Sequence, residues 1–95
     1  MITTGRLLIK LYIPDCHSLK QKRSIVKSIL AKTRNQYQVS AAEVDYMDVW
    51  QTTLLGFSAI GNDAVAIRNV LHAIETYIEN NWFDIQIMES QIDLL

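Results

Sequence analysis

Residues 6–13 read RLLIKLYI, and their alternation decides the fold class. Leu7, Ile9, Leu11 and Ile13 fall on one side of an extended chain; Arg6, Leu8, Lys10 and Tyr12 fall on the other. Period two means a strand, with one dry face and one mixed face. Pro14 and Asp15 end it, and Ser18 then opens a helix. Gln21 stands three residues on, a capping box in which the Ser18 hydroxyl takes a first-turn amide and Gln21 reaches back. Leu19, Val26, Ile29, Leu30 and Thr33 recur at helical steps and form the buried stripe. The helix fades near Asn35–Tyr37.

Working outward, residues 38–45 (QVSAAEVD) and 51–60 (QTTLLGFSAI) read as strands joined by a short turn around Tyr46–Val49. Asn62 or Asp63 caps a second helix, with Ile67, Val70, Leu71, Ile74 and Ile78 as its apolar stripe and Arg68, His72, Glu75 and Glu79 on its wet side. Asn80 and Asn81 stop it. Phe83, Ile85 and Ile87 alternate with Asp84, Gln86 and Met88 in a fourth strand. The order β-α-β-β-α-β predicts one ferredoxin-like domain over residues 1–95, α+β in class, with two helices on one face of a four-stranded antiparallel sheet. The other face is expected to carry Leu8, Lys10 and Tyr12, joined by Leu55 and Phe57. It is too apolar to stay wet and too polar for ordinary core, so a second copy is expected to cover it.

Composition points the same way. Of 95 residues, 49% are hydrophobic, high for so short a soluble chain and consistent with a surface covered by another subunit. No apolar run approaches the roughly 18 residues of a membrane span, so no membrane partner is expected. The N-terminal stretch is broken by Arg6 and Lys10 and reads as a strand, not a signal peptide. The single cysteine, Cys16, excludes an internal disulfide. The cytoplasm is the expected compartment. Net charge is −1, yet residues 1–36 hold eight Lys and Arg against Asp15 alone, while residues 37–95 hold nine acids against Arg68. Such a split suits a polyanion or an acidic protein surface, or neutralisation within the fold.

Two segments could carry chemistry. In SLKQKR (18–23), Lys20, Lys22 and Arg23 crowd a helix start, where cations oppose the macrodipole. They need an anion: an external phosphate, or a carboxylate of the same protein such as Asp15 or an acid of the second strand. Lys27 and Arg34 continue the row, so Lys20, Lys22, Arg23, Lys27 and Arg34 are the candidate contacts to phosphate or to an acidic partner. In AEVDYMDVW (42–50), Glu43 and Asp45 alternate and are expected to share one strand face, with Asp48 in the turn. Three carboxylates suit Mg²⁺ or Ca²⁺, or acid–base work. At an edge strand they more often prevent aggregation, and Glu43 and Asp45 are expected to pair with basic side chains, within a chain or across a subunit interface, and to hold no metal.

Cys16-His17 lacks the further ligands of a zinc site and the orienting group of a nucleophile pair. Trp50 and Trp82 suit core or interface, with core expected for at least one of them. An aromatic RNP1 pattern, a C-x-x-C pair and a Gly-rich phosphate loop are all missing, and no cofactor is expected.

SLKQKR at 18–23, Lys27-Ser28, VSAAEVD at 39–45, Asp48, Trp50-Gln51, Leu55-Gly56 and Asp63 together resemble the YlxP-like family of small bacterial proteins, long catalogued as a domain of unknown function. Gln21 stands where that family usually shows Glu, which keeps the capping box. Ala41 stands where it often shows Val, and Cys16 and His17 lie outside the pattern. The resemblance implies a ferredoxin-like fold, a homodimer or higher oligomer, and association with RNA or the ribosome, since the family's genes often sit among genes for translation and ribosome maturation. It carries over no catalytic residue. The leading expectation is a non-enzymatic RNA- or ribosome-binding module using the first helix. The rivals are an interaction module for an acidic protein, and a small-molecule or enzymatic domain built on Glu43, Asp45 and Asp48.

Overall fold

The computed structural model describes residues 1–95. Its elements run β1 (Thr3–Tyr12), α1 (Leu19–Gln36), β2 (Ser40–Asp45), β3 (Thr52–Gly61), α2 (Ala64–Asn81) and β4 (Gln86–Leu94). The strands form one antiparallel sheet in the order β2-β3-β1-β4. This is the expected ferredoxin-like topology.

The period-two reading of β1 holds. Leu7, Ile9 and Leu11 are wholly buried beneath the helices, and Leu8, Lys10 and Tyr12 face the other way. Helix α1 contributes Val26, Ile29 and Thr33, and α2 contributes Ile67, Leu71, Ile74 and Ile78. Asp63 caps α2, its carboxylate accepting from the amides of Val65 and Ala66. Gly5 lets α2 come close: a Cβ there would lie 2.5 Å from Ile67 Cγ2 and 2.8 Å from Leu71 Cδ1. Any side chain would push the helix off the sheet.

Three expectations fail, each for a reason of register. Leu55 and Phe57 do not belong to the open face. They pair with Ile9 and Leu7 and are buried in the core, 0% and 1% exposed; Leu54 and Gly56 face outward instead. Adjacent leucines at 54 and 55 hide the phase of β3, which only its pairing with β1 settles.

The fourth strand lies later in the chain than 83–88. Phe83 is 89% exposed, in the turn where the Ile85 amide bonds the Trp82 carbonyl. Met88 is the extra residue of a bulge, since Leu11 faces Ile87 while Lys10 faces Glu89. A bulge shifts the alternation by one residue. Inward positions therefore pass from Ile87 to Ser90, Ile92 and Leu94, and a polar-looking ESQID becomes an edge strand with Glu89, Gln91 and Asp93 on its open side.

A second bulge breaks β2. Glu43 stands opposite Leu55 and Asp45 opposite Leu54, with Val44 as the additional residue. Glu43 and Asp45 thus fall in register with residues of opposite sheet faces.

Candidate functional site

The outward side of α1 gathers Lys20, Arg23, Lys27 and Arg34. Steps of three, four and seven residues keep them on one face of an α-helix, and all four are exposed. None makes an ion pair with a carboxylate of the chain. Arg34 Nη1 donates to the Ala41 carbonyl at 3.0 Å, which ties the end of α1 to β2. The helix begins at Ser18, whose Oγ accepts from the Gln21 amide at 3.0 Å; Gln21 Oε1 reaches back to the His17 amide, one residue before the cap, at 2.9 Å. No acidic residue occupies the first turn.

Lys22 departs from this group. It is wholly buried, and its ammonium lies 2.7 Å from Glu43 Oε2. It also donates to the Tyr46 carbonyl. Thr53 Oγ1 donates to the same Glu43 oxygen at 2.6 Å. Lys22 therefore cannot contact an external phosphate, and the anion foreseen for it is an acid of the second strand. The signal for this lay in the spacing: Leu19, Lys22, Val26, Ile29 and Thr33 follow helical steps, and Lys22 stands mid-stripe. Its charge hid that phase, because unpaired lysines are almost never fully buried.

The three carboxylates do not converge. Glu43 is committed to Lys22 and Thr53. Asp45 Oδ1 accepts from the Tyr46 amide at 2.7 Å and makes no ion pair with a basic side chain of its own chain. Asp48 is exposed in the turn. No group of three His, Cys, Asp or Glu side chains comes together anywhere in the chain.

The connection expected around Tyr46–Val49 extends to Gln51 and is tied at several points to distant parts of the chain. Tyr46 has φ 64°, the left-handed region that a bulky residue seldom adopts. Its carbonyl accepts from both Lys22 and the Val49 amide. Gln51 Nε2 donates to the Pro14 carbonyl at 3.0 Å and more weakly to that of Cys16 at 3.4 Å, while its own carbonyl accepts from the Ile13 amide. The turn is thus fastened to the start of α1. Three apolar side chains, Met47, Val49 and Trp50, nevertheless stay 51%, 44% and 51% exposed on it.

Cys16 is buried and its thiol donates to the Ser18 carbonyl, whereas His17 is exposed; the two form no joint site. Trp82 is the tryptophan that joins the core, edge-to-face with Tyr77 and beneath the Lys32 ammonium.

Against known proteins, residues 4–92 match the family described as Protein of unknown function (DUF503). The chain belongs to the DUF503 family. "Uncharacterized protein YlxP" of Bacillus subtilis (strain 168) is 35% identical over 68 residues, covering 72% of this chain and 74% of that one. The likeness read from SLKQKR and VSAAEVD is therefore a true family relation. Among solved structures, a de novo designed protein with ferredoxin fold aligns over 97% of this chain and 82% of its own with a TM-score of 0.56 at 15% identity, a likeness of fold alone. Neither DUF503 nor YlxP brings an assigned activity. No helix of this DUF503 chain is long and apolar enough to cross a membrane.

Proposed function

We propose that this DUF503 protein is a non-enzymatic binding module that takes RNA, free or on a ribosomal surface, along the outward face of α1. The observation that carries the reading is the row of Lys20, Arg23, Lys27 and Arg34, exposed on one helix face and ion-paired with no carboxylate of the chain. Cations crowded at a helix start cost stability unless an anion compensates them. Lys22 finds its anion inside the fold; Lys20 and Arg23 do not. A phosphate backbone supplies such anions in a row, and binding releases the counterions condensed on it.

The test is a salt series. Affinity for ribosomal subunits or structured RNA should fall steeply as salt rises. Lys20→Gln, Arg23→Gln and Lys27→Gln combined should weaken binding and flatten the slope of log affinity against log salt by about 2 to 3, at about 0.7–0.9 for each lost contact. Unchanged binding would refute the proposal. Loss of self-association instead would make the row an acidic-protein contact between copies.

We also propose that a second copy covers the open sheet face. Leu8, Val44, Leu54 and Ile60 lie there, beside a depression of about 290 Å³ lined by Leu8, Ala42, Val44 and Gly56. Arg6 stands opposite Asp93 and Lys10 opposite Glu89, so charge on the face is largely cancelled and does not oppose self-contact. Light scattering at micromolar concentration should give at least twice 10.9 kDa; a clean monomer would refute this.

A further inference from the structure

Strand register lays out the open sheet face in rows. Asp93, Arg6, Ser58 and Ser40 stand opposite one another across the four strands. Gln91, Leu8, Gly56 and Ala42 form the next row, two residues or about 7 Å along the strands. Facing residues share one side of a sheet, so a polar line runs beside a line of small and apolar groups. The depression of about 290 Å³ lies where the two lines meet and is lined from both.

The depression exists because neighbouring positions are small. Gly56 leaves its backbone bare, and a Cβ there would lie 3.2 Å from Val44 Cγ1 and 3.6 Å from Leu8 Cδ2. Those two side chains flank the glycine from β2 and β1. Apolar walls beside bare backbone, with polar groups at one end only, suit a small ligand whose hydrocarbon body fills the depression and whose head is fixed at that end.

The polar end supplies the anchor. Arg6 Nη2 meets Asp93 Oδ2 at 3.2 Å, one contact between accessible side chains. Gln91 Nε2 donates to both Asp93 oxygens, at 3.3 and 3.1 Å, and so steadies the carboxylate that orients the guanidinium. A guanidinium has five N–H donors in a fork that matches a carboxylate, and the Ser58 and Ser40 hydroxyls are exposed in the same row. Lys10, the other cation of this face, stands opposite Glu89 and over the Tyr46 ring at 5.0 Å, outside the depression. Charge restricts the ligand to one negative group. Asp93 stands behind Arg6 and offsets it, and Asp45, in register with Leu54, places an acid beyond the far end.

We infer that this depression binds a small monocarboxylate with an apolar body. Arg6, Ser58 and Ser40 take the carboxylate, the body lies over Gly56 beside Leu8 and Val44, and Asp93 is a positioning residue for Arg6. The site goes beyond the RNA reading of α1 and does not depend on it. All its groups come from one chain, and a second copy laid on the sheet would roof it.

The probe is phenylacetate, titrated into the whole chain and followed by calorimetry and amide chemical shifts. Its dissociation constant should be on the order of 0.1–1 mM, as for a small ligand held by one ion pair, with the shifts centred on Ala42, Gly56 and Ser58. Phenylacetamide has the same shape without the charge and should bind at least about tenfold more weakly. Acetate, the head without the body, should not bind. Arg6→Gln should weaken phenylacetate about tenfold or more and Ser58→Ala about threefold. Gly56→Val fills the depression and should abolish binding; should that variant not fold, the surface change Arg6→Gln still decides. Asp93→Asn should raise the affinity for phenyl phosphate relative to phenylacetate, a ratio that a merely structural Asp93 would leave unchanged. Binding that ignores Arg6→Gln, an amide that binds as well as the acid, or no saturation by about 10 mM would overturn the inference. Saturable, Arg6-dependent binding to a chain that light scattering shows to be monomeric would sustain the site and refute only the covering copy.

Discussion

The two sides of α1 carry the same residue types two positions apart and treat them in opposite ways. Lys20 stands in water without an ionic partner. Lys22 is sealed beneath the helix, where Glu43, Thr53 and the Tyr46 carbonyl satisfy it. A buried charge is tolerated only when paired and hydrogen-bonded, so Lys22 tells where the chain has already used its anions. Lys20 tells where an anion is still wanted. The difference separates fold from function within one turn of helix.

The largest effect should come from breaking the inner side. Lys22→Ala leaves Glu43, 16% exposed, without its cation, and loss of one partner of a buried pair typically costs about 3–5 kcal/mol. Urea unfolding should show that drop, or no stable fold at all. Lys22→Met with Glu43→Leu should recover most of it, since a buried pair replaced by apolar side chains is often neutral. If Lys22→Ala unfolds like Lys20→Ala, the inner lysine is not the anchor described and the contrast collapses.

A smaller effect should sharpen the same contrast on the sheet. Gly5→Ala pushes a methyl against Ile67, Leu71 and Leu94 on the covered side, and overpacking of that kind costs about 1–3 kcal/mol. Gly56→Ala on the open side meets only Val44, at 3.2 Å, with Leu8 beyond it. The valine stands on a bulged edge and can yield, so the monomer should lose far less. Thermal melts of the two variants, compared at matched dilution, check the order. Equal losses would mean that the open face is as tightly packed as the core.

How much of this was legible in the sequence depends on whether periodicity survived. It survived in β1, in the Asp63 cap and in the α2 stripe, where apolar spacing and burial coincide. It failed wherever one inserted residue shifted the phase. The Met88 bulge carried the fourth strand on through ESQID, past the 83–88 expected for it, and the Val44 bulge parted Glu43 from Asp45. Lys22 failed for another reason: its spacing was right for the core but its charge argued for the surface. The turn around Tyr46–Val49 was legible as a connection, but its ties were not, because they are contacts with Pro14, Cys16 and Lys22, far away along the chain. Lys20, Arg23, Lys27 and Arg34 were legible, since a cation outside the apolar stripe has nowhere to go but water.

The smallest expected change has the opposite sign, and it joins stability to function. Lys20 occupies the first turn of α1, where the unpaired amides make a positive end and no acidic residue offsets it. Lys20→Glu should therefore stabilise the fold, by about 0.3–1 kcal/mol at low ionic strength, and the gain should fade as salt screens it. The same substitution replaces a phosphate contact with a repulsive charge, so RNA affinity should fall by more than it does for Lys20→Gln. A residue kept only for the helix would not show this exchange, because removing it would improve stability and harm nothing. A stabilised variant with undiminished binding would therefore mark Lys20 as a solvated side chain and leave Arg23, Lys27 and Arg34 to carry the contact. Stabilisation together with weakened binding would show that the fold gives up part of its stability at this turn to keep a cation facing outward.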